Sequence, residues 1–110
     1  MSNFLVITGN LTKDPELRYT PTGKAVATIT IADGKDNPVF VDIDVWDKMA
    51  ENLAETMSKG DRAIAVCFTK LEQWEDKQGN KRQKLKFTAR AVGPDLRWAS
   101  AQITKNPKEV

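Results

Sequence analysis

A regular alternation of apolar and polar side chains from Val39 to Trp46 constrains the fold of this chain more than any other feature. Successive side chains of a β-strand point to opposite faces, so the segment predicts a strand with two unlike faces. One face is aliphatic and is expected to lie in a core: Val39, Val41, Ile43 and Val45. The other carries two rings and two carboxylates and is expected to face water: Phe40, Asp42, Asp44 and Trp46.

The two rings of this strand have two interpretations. Phe40 and Trp46 pack beneath a neighbouring loop or at a subunit interface, or they present flat surfaces on which bases stack. A third ring, Trp74, lies in a stretch from Lys70 to Arg90 with seven basic and three acidic residues. Stacking rings surrounded by cations are typical of proteins that bind single-stranded nucleic acid.

The composition predicts one folded domain and lacks histidine, the commonest general base. The 110 residues include 40% hydrophobic and 29% charged side chains, which is typical of a single globular domain. The net charge is only +2, so the local clustering of basic residues carries the argument for nucleic acid. The chain has no histidine and a single cysteine, Cys67, which we expect to be a small strand residue. We therefore expect no catalytic residue, no cofactor and no disulfide within the chain.

A metal site and a membrane location are both disfavoured by the sequence. Asp42, Asp44 and Asp47 could ligate a cation, but alternating carboxylates on a strand lack the enclosing loop that calcium or magnesium needs. No apolar run approaches the length of a membrane span, and the first residues lack the charged start of a signal peptide. We expect a cytoplasmic, nucleoid-associated protein without a metal.

Hydrophobic periodicity predicts five strands and one short helix. The strands are expected at 4–11, 24–32, 39–46, 61–71 and 81–92. Between the third and fourth strands, apolar residues recur at helical spacing: Ala50, Leu53, Ala54 and Met57. Asp47 is the expected N-cap of this helix and Gly60 its expected C-terminal stop. Turns are predicted at 13–16 and 20–23, a loop at 33–38 and a charged loop at 76–80.

Five strands with a helix between the third and the fourth is the order of the OB-fold, an all-β, partly open barrel. Ligands of this fold usually lie on strands 2 and 3 and on the loops between strands 1 and 2 and between strands 4 and 5. These regions hold Phe40, Trp46, Trp74 and the basic cluster. Trp98 is expected to cover the barrel or a neighbouring subunit. We predict an OB-fold domain over residues 1–101 and a flexible tail over 102–110.

Three stretches of this sequence resemble the bacterial single-stranded-DNA-binding protein family, and the likeness extends over roughly residues 3 to 101. The stretches are GNLTKDPELRYTPTGKAVA at 9–27, VWDKMAENLA at 45–54 running into Lys59 and Gly60, and WEDKQGNKR at 74–82. The resemblance implies an OB-fold and a homotetramer. It also implies binding of single-stranded DNA without sequence preference, which keeps strands unpaired for replication, recombination or repair.

The resemblance also implies which side chains contact DNA. The base-stacking rings of the family fall on Phe40, Trp46 and Trp74. Its basic contacts match Arg18, Lys48, Lys59, Lys70 and Arg82. The clustered charge adds Lys84 and Lys86 to this set, although these two lysines could instead neutralise Asp42 and Asp44 across the sheet.

The sequence departs from the family in three respects. It has no Gly/Pro/Gln-rich segment ending in an acidic tip, which makes recruitment of repair and replication enzymes doubtful. No aromatic residue lies between Ala32 and Phe40. Asp42 and Asp44 lie on the aromatic face, where phosphates prefer neutral or basic groups, so we expect weaker binding than in a typical member.

Three other functions stay open from the sequence. An OB-fold module for RNA, or a related primosome-type protein, would use the same rings and cations. A structural oligomer with a weakened binding face would be consistent with the two aspartates. An OB-fold nuclease would need a carboxylate-bound metal near an arginine.

Overall fold

The computed structural model describes residues 4–108 and consists of six strands and one helix. The elements are β1 (Phe4–Leu11), β2 (Glu16–Tyr19), β3 (Ala25–Asp33), β4 (Val39–Trp46), α1 (Asp47–Thr56), β5 (Arg62–Glu75) and β6 (Lys81–Pro94). The first three residues of the predicted domain and the last two of the predicted tail lie outside the described residues.

The strands form one sheet that closes into a barrel. Their order is β1-β5-β6-β4-β3-β2, and a further pairing of β1 with β3 completes the ring of five longer strands. All neighbours are antiparallel except β4 and β6, which are parallel. The predicted OB-fold barrel is confirmed.

Gly9 allows β1 and β3 to approach closely where the barrel closes. Just beyond it, Asn10 pairs with Ala32 and Leu11 with Ile31. A Cβ atom at Gly9 would lie 2.7 Å from the carbonyl oxygen of Ala32, closer than such atoms can approach. Closure in this form therefore requires glycine at this position.

The short strand β2 was not predicted from the sequence. Within the described part of the chain it pairs only with β3, and all four of its residues are exposed. A strand that buries neither face has no apolar alternation, so its sequence gives no strand signal. Because of this extra strand, the helix follows the fourth strand of the structure rather than the third.

The core lies inside the barrel beneath α1. On β4, Ile43 and Val45 are fully buried and Val41 is half-buried, as the alternation predicts. The prediction was wrong for Val39, which is 65% exposed. Val39 is the first residue of β4 and pairs with Asp33 at the end of β3, where the barrel no longer covers it.

Helix α1 covers one end of the barrel with Ala50, Leu53 and, just after the helix, Met57, all of which are buried. Asp47 is not the N-cap. The cap position is held by the extended residue Trp46, which makes no side-chain capping bond, and Asp47 is the first helical residue with φ +62°. An aspartate tolerates this left-handed conformation better than most residues, and here it redirects the chain from β4 into α1.

The helix ends earlier than Gly60, the residue that we predicted to stop it. Its last residue is Thr56, and the chain is already extended at Met57. Gly60 lies in the following turn with φ +91°, and its N–H donates to the carbonyl oxygen of Leu11 over 2.8 Å. Glycine therefore serves the turn into β5 rather than the helix end.

The distal halves of β5 and β6 continue beyond the barrel as a two-stranded arm. Each strand has 14 residues, and their pairing continues to Glu75 and Lys81 at the turn. We call residues 70–86 the hairpin arm. Nearly all of its side chains are exposed.

Candidate nucleic-acid interface

The outward side chains of β4 and their partners on β3 and β2 form a surface that we call the barrel face. Directly paired residues point to the same side of a sheet. Phe40 lies opposite Ala32, and Trp46 lies opposite Val26, which in turn lies opposite Arg18. Phe40 is 61% exposed beside this small neighbour, so one aromatic surface is open to a ligand.

Trp46 is more enclosed than Phe40. It is half-buried, and the Lys24 ammonium lies 5.9 Å from the centroid of its ring, a cation–π distance. Val26, in the same row, is only 3% exposed although it points outward. Lys24 beside the Trp46 ring, and Arg18 on the far side of Val26, therefore make this end of the barrel face cationic and aromatic.

Lys24 is a candidate contact that the sequence analysis missed. Its position could have been inferred from the register of the strands. Val26 pairs with Trp46, so the residue two positions earlier points to the same side just beyond the ring. Only the pairing of β3 with β4, which the sequence alone does not give, reveals it.

The two carboxylates of the barrel face have unlike surroundings. Asp44 accepts a hydrogen bond of 2.9 Å from the Thr28 hydroxyl, and one of its oxygens lies 3.9 Å from the Lys86 ammonium. Asp42 accepts a hydrogen bond of 2.6 Å from the Thr30 hydroxyl. No lysine or arginine among the described residues lies within 4.0 Å of Asp42. Asp44 thus has a cationic partner within the described chain, and Asp42 does not.

Lys86 connects the barrel face to the hairpin arm. Besides its contact with Asp44, its ammonium lies 3.3 Å from Glu72 of the arm. Lys84 forms no ion pair within residues 4–108. The alternative that both lysines neutralise the aspartates is therefore right for Lys86 with Asp44 and wrong for Lys84 and for Asp42.

One side of the hairpin arm carries half of the predicted contacts. Strand register places Lys70, Glu72 and Trp74 opposite Lys86, Lys84 and Arg82, respectively. Trp74 is 48% exposed. These residues share the side of the sheet on which Lys86 reaches Asp44, so the arm extends the barrel face rather than turning away from it.

Arg82 is held by the turn of the arm. Its Nε donates to Asp76 over 2.9 Å, and Asp76 also accepts from the backbone N–H groups of Gln78 and Asn80. The hydrogen bond from Arg82 and these backbone bonds lower the pKa of Asp76 below its usual value. At neutral pH, a phosphate must therefore compete with Asp76 for this guanidinium.

The two remaining predicted cations, Lys48 and Lys59, lie in different surroundings. Lys48, two residues after Trp46, lies 3.8 Å from Glu51, which also accepts a 2.9 Å hydrogen bond from the Tyr19 hydroxyl. That bond raises the pKa of Tyr19. Lys59 follows α1, and its backbone N–H donates to Asp14 of the loop between β1 and β2. Lys48 therefore lies close to the Trp46 end of the barrel face. Lys59 is instead hydrogen-bonded through its backbone to the loop between β1 and β2.

Trp98 lies outside this surface. It is 71% exposed, so it does not cover the barrel within one chain, and the alternative of a neighbouring subunit stays open. The guanidinium groups of Arg97 and Arg62 lie 4.1 Å and 5.6 Å from the centroid of its ring. Asp95 pairs with both arginines, and the hydrogen bond from Arg97 lowers the pKa of Asp95 to about 2.

Other chemistry finds little support in this part of the chain. Among residues 4–108, no three His, Cys, Asp or Glu side chains are grouped as a metal site would require. Cys67 is fully buried in the core, and burial raises the pKa of its thiol, which opposes nucleophilic reactivity. Within the same range, no helix has the length and apolar character of a membrane span.

The fold is that of an OB-fold protein, and this surface is its candidate nucleic-acid interface. The family model described as "Single-strand binding protein family" matches residues 2–95. The chain is 38% identical to the single-stranded DNA-binding protein of Paenarthrobacter aurescens over 116 residues, which cover 94% of this chain and 68% of that protein. It is 36% identical over 113 residues to the protein of that name from Mycolicibacterium smegmatis, with 92% and 68% covered. For Corynebacterium glutamicum the values are 36% over 118 residues, with 94% and 52% covered.

A family model that covers most of the chain and several relatives of this similarity establish the family. The chain belongs to the single-strand binding protein family. Its members are binding proteins, and this chain is not an enzyme.

Proposed function

We propose that this protein binds single-stranded DNA with little sequence preference and keeps it unpaired during replication, recombination or repair. The observation that carries the proposal is one continuous outward surface with exposed rings and cations. It starts at Arg18, Lys24 and Trp46 and reaches Trp74 through the Lys86 bridge. Membership of the single-strand binding protein family supports the same function.

The proposed mechanism combines stacking with charge. Bases stack on Phe40, Trp46 and Trp74, and each stacked base contributes about 1–3 kcal/mol whatever its identity. Cations along the two strands of the arm and at the Trp46 end contact phosphates: Arg18, Lys48, Lys70, Arg82, Lys84 and Lys86, with Lys59 as an outlying contact. These contacts release counterions, so the affinity falls as salt rises.

Single strands are preferred over duplexes because stacking requires unpaired bases. In a duplex, both surfaces of every base are already covered by its neighbours. The exposed ring of Phe40 and the half-exposed ring of Trp74 would then have no partner. A duplex could use only the cations, and the net charge of +2 gives little affinity on its own.

Titration of the intrinsic tryptophan fluorescence with oligo-dT tests this function. Stacking on Trp46 or Trp74 is expected to quench the emission, and duplex DNA of the same length is expected to leave it nearly unchanged. A matched RNA strand in competition distinguishes DNA from RNA binding. Unchanged fluorescence together with no gel shift at low salt would refute the proposal.

We further propose that the protein is a homo-oligomer, with a tetramer as the expected form. The outer face of β1 and β5 carries apolar side chains in adjacent register, among them Phe4, Val6, Ile64 and Phe68. Val6 is 62% exposed at the centre of this patch. Among residues 4–108, the Phe4–Gly9 part of β1 is paired only with β5, so its other edge can accept a strand from a second copy.

Light scattering at micromolar concentration tests the oligomer. A mass of four chains is expected, and Val6→Glu is expected to lower it by placing a charge in the apolar patch. A wild-type protein with the mass of one chain would contradict the proposal.

The proposed binding domain spans residues 1–101, and we place the protein in the cytoplasm with the DNA that it binds.

A further inference from the structure

Asp42 differs from Asp44, the other carboxylate of β4, because it lacks an ionic partner among the described residues. The Thr30 hydroxyl donates to one carboxylate oxygen over 2.6 Å and fixes the orientation of the group. The second oxygen has no hydrogen-bond partner within residues 4–108. An ionised carboxylate only accepts hydrogen bonds, so this exposed oxygen can accept one from a ligand.

The neighbour of Asp42 on the same face is the open ring of Phe40. The two side chains are two residues apart on β4, a separation of about 7 Å along a strand. Ala32, opposite Phe40, and Thr30, opposite Asp42, are both small, so nothing on β3 separates a ligand on the ring from the carboxylate. A base stacked on Phe40 can therefore turn one edge toward Asp42.

The chemistry of the base edges decides which base fits. The Watson–Crick edge of guanine offers two adjacent donors, N1–H and the N2 amino group, which match the two oxygens of a carboxylate. Cytosine and adenine each offer one amino donor beside a ring acceptor. Thymine offers one N3–H between two carbonyl oxygens, which a carboxylate repels. Paired hydrogen bonds of this kind distinguish bases more strongly than single ones.

We propose that Phe40 and Asp42 form a guanine-preferring subsite within the otherwise sequence-tolerant DNA surface. This inference rests on the proposed binding of single-stranded DNA. Phe40 supplies the stacking surface, the Asp42 carboxylate accepts from N1–H and the N2 amino group, and Thr30 holds the carboxylate in place. Asp44 does not share this role because Thr28 and Lys86 already occupy its oxygens.

The test compares three strands of equal length: oligo-dT, oligo-dT with isolated guanines at every sixth position, and the same strand with inosine in place of guanine. Inosine keeps N1–H but lacks the N2 amino group. Isolated guanines do not form quadruplexes. The wild-type protein is expected to bind the guanine strand about fivefold more tightly than the inosine strand, the lower end of what a paired base contact provides.

Two variants assign the preference to one residue. Asp42→Asn is expected to abolish the difference between guanine and inosine while it retains binding to oligo-dT. Asp44→Asn, its matched control on the same face, is expected to keep the difference. Equal binding of the guanine and inosine strands by the wild type, or a preserved preference in Asp42→Asn, would overturn the subsite while the general function stands. Absence of binding to all three strands would refute the proposed function and the subsite with it.

Discussion

The barrel face and the hairpin arm use the same kinds of side chain in opposite ways. On the barrel face, Trp46 is half-buried in a row with Arg18 and Val26, and Lys24 lies over its ring. On the arm, Trp74 is exposed on a two-stranded ribbon, opposite an arginine that its own turn holds. We therefore expect Trp46 to contribute to the fold as well as to binding, and Trp74 to contribute to binding alone.

The largest effect is expected at the barrel ring, because Trp46→Ala should damage both properties. Binding of oligo-dT is expected to weaken by about 1–3 kcal/mol through the lost base. The same change uncovers Val26, which is almost fully buried, so the melting temperature is expected to fall as well. Fluorescence titration and thermal unfolding measure the two effects. An unchanged melting temperature would mean that Trp46 does not stabilise the fold, and would contradict the proposed difference between Trp46 and Trp74.

Trp74→Ala tests the ring of the hairpin arm. It is expected to weaken oligo-dT binding by about 1–3 kcal/mol and to leave the melting temperature unchanged. Trp98→Ala is the matched control, since Trp98 is also exposed but stacks on arginines away from the interface. The control is expected to bind DNA normally and to lose stability or assembly. Loss of binding in Trp98→Ala with normal binding in Trp74→Ala would reverse the assignment of the two rings.

Lys84 and Lys86 allow a lysine without an ion pair to be compared with one that forms ion pairs. Lys84→Ala is expected to reduce the slope of log affinity against log salt by about one, because its ammonium has no ionic partner to leave within the described chain. Lys86→Ala is expected to reduce the slope by less, since a phosphate must replace Asp44 and Glu72 around this ammonium. Oligo-dT titrations across a range of salt concentrations measure both. Equal slopes for the two variants would mean that breaking the ion pairs of Lys86 costs no free energy.

The smallest effect is expected from the carboxylates when the strand is oligo-dT. Removing both charges, by Asp42→Asn with Asp44→Asn, is expected to tighten binding, most clearly in dilute buffer where repulsion is least screened. Asp42→Asn should account for most of the gain, because Lys86 already balances Asp44. Salt-dependent titration of both single variants and the double variant tests this. Weaker binding in the double variant would mean that the aspartates position the cations rather than repel phosphates.

Most of the fold could be predicted because alternation and turn chemistry are local. β3, β4 and α1 bury an apolar face against the barrel core, and their apolar residues recur with the matching period. β2 escaped prediction because it buries nothing, and the Asp47 junction because a left-handed aspartate leaves no pattern in the sequence. Val39 was misassigned because alternation shows which face a residue occupies but not where the core ends.

The candidate site was predictable in its residue types and less so in its pairing. The alternation on β4 correctly placed Phe40 and Trp46 on the outward side. The position of Lys24 over Trp46 depends on the register between β3 and β4, and the partners of Lys86 depend on how the arm leaves the barrel. Such contacts join residues that are far apart in sequence, so no local pattern specifies them.

The bridge formed by Lys86 has a consequence for how a strand would leave the protein. Asp44 and Glu72 are anions attached to the same chain, so their effective concentration at Lys86 does not fall when the solution is diluted. If Lys86 loses a phosphate contact, these carboxylates are expected to pair with its ammonium again before another anion arrives by diffusion. Contacts at this point can therefore be exchanged one at a time, and a bound strand is expected to creep along the arm rather than detach as a whole.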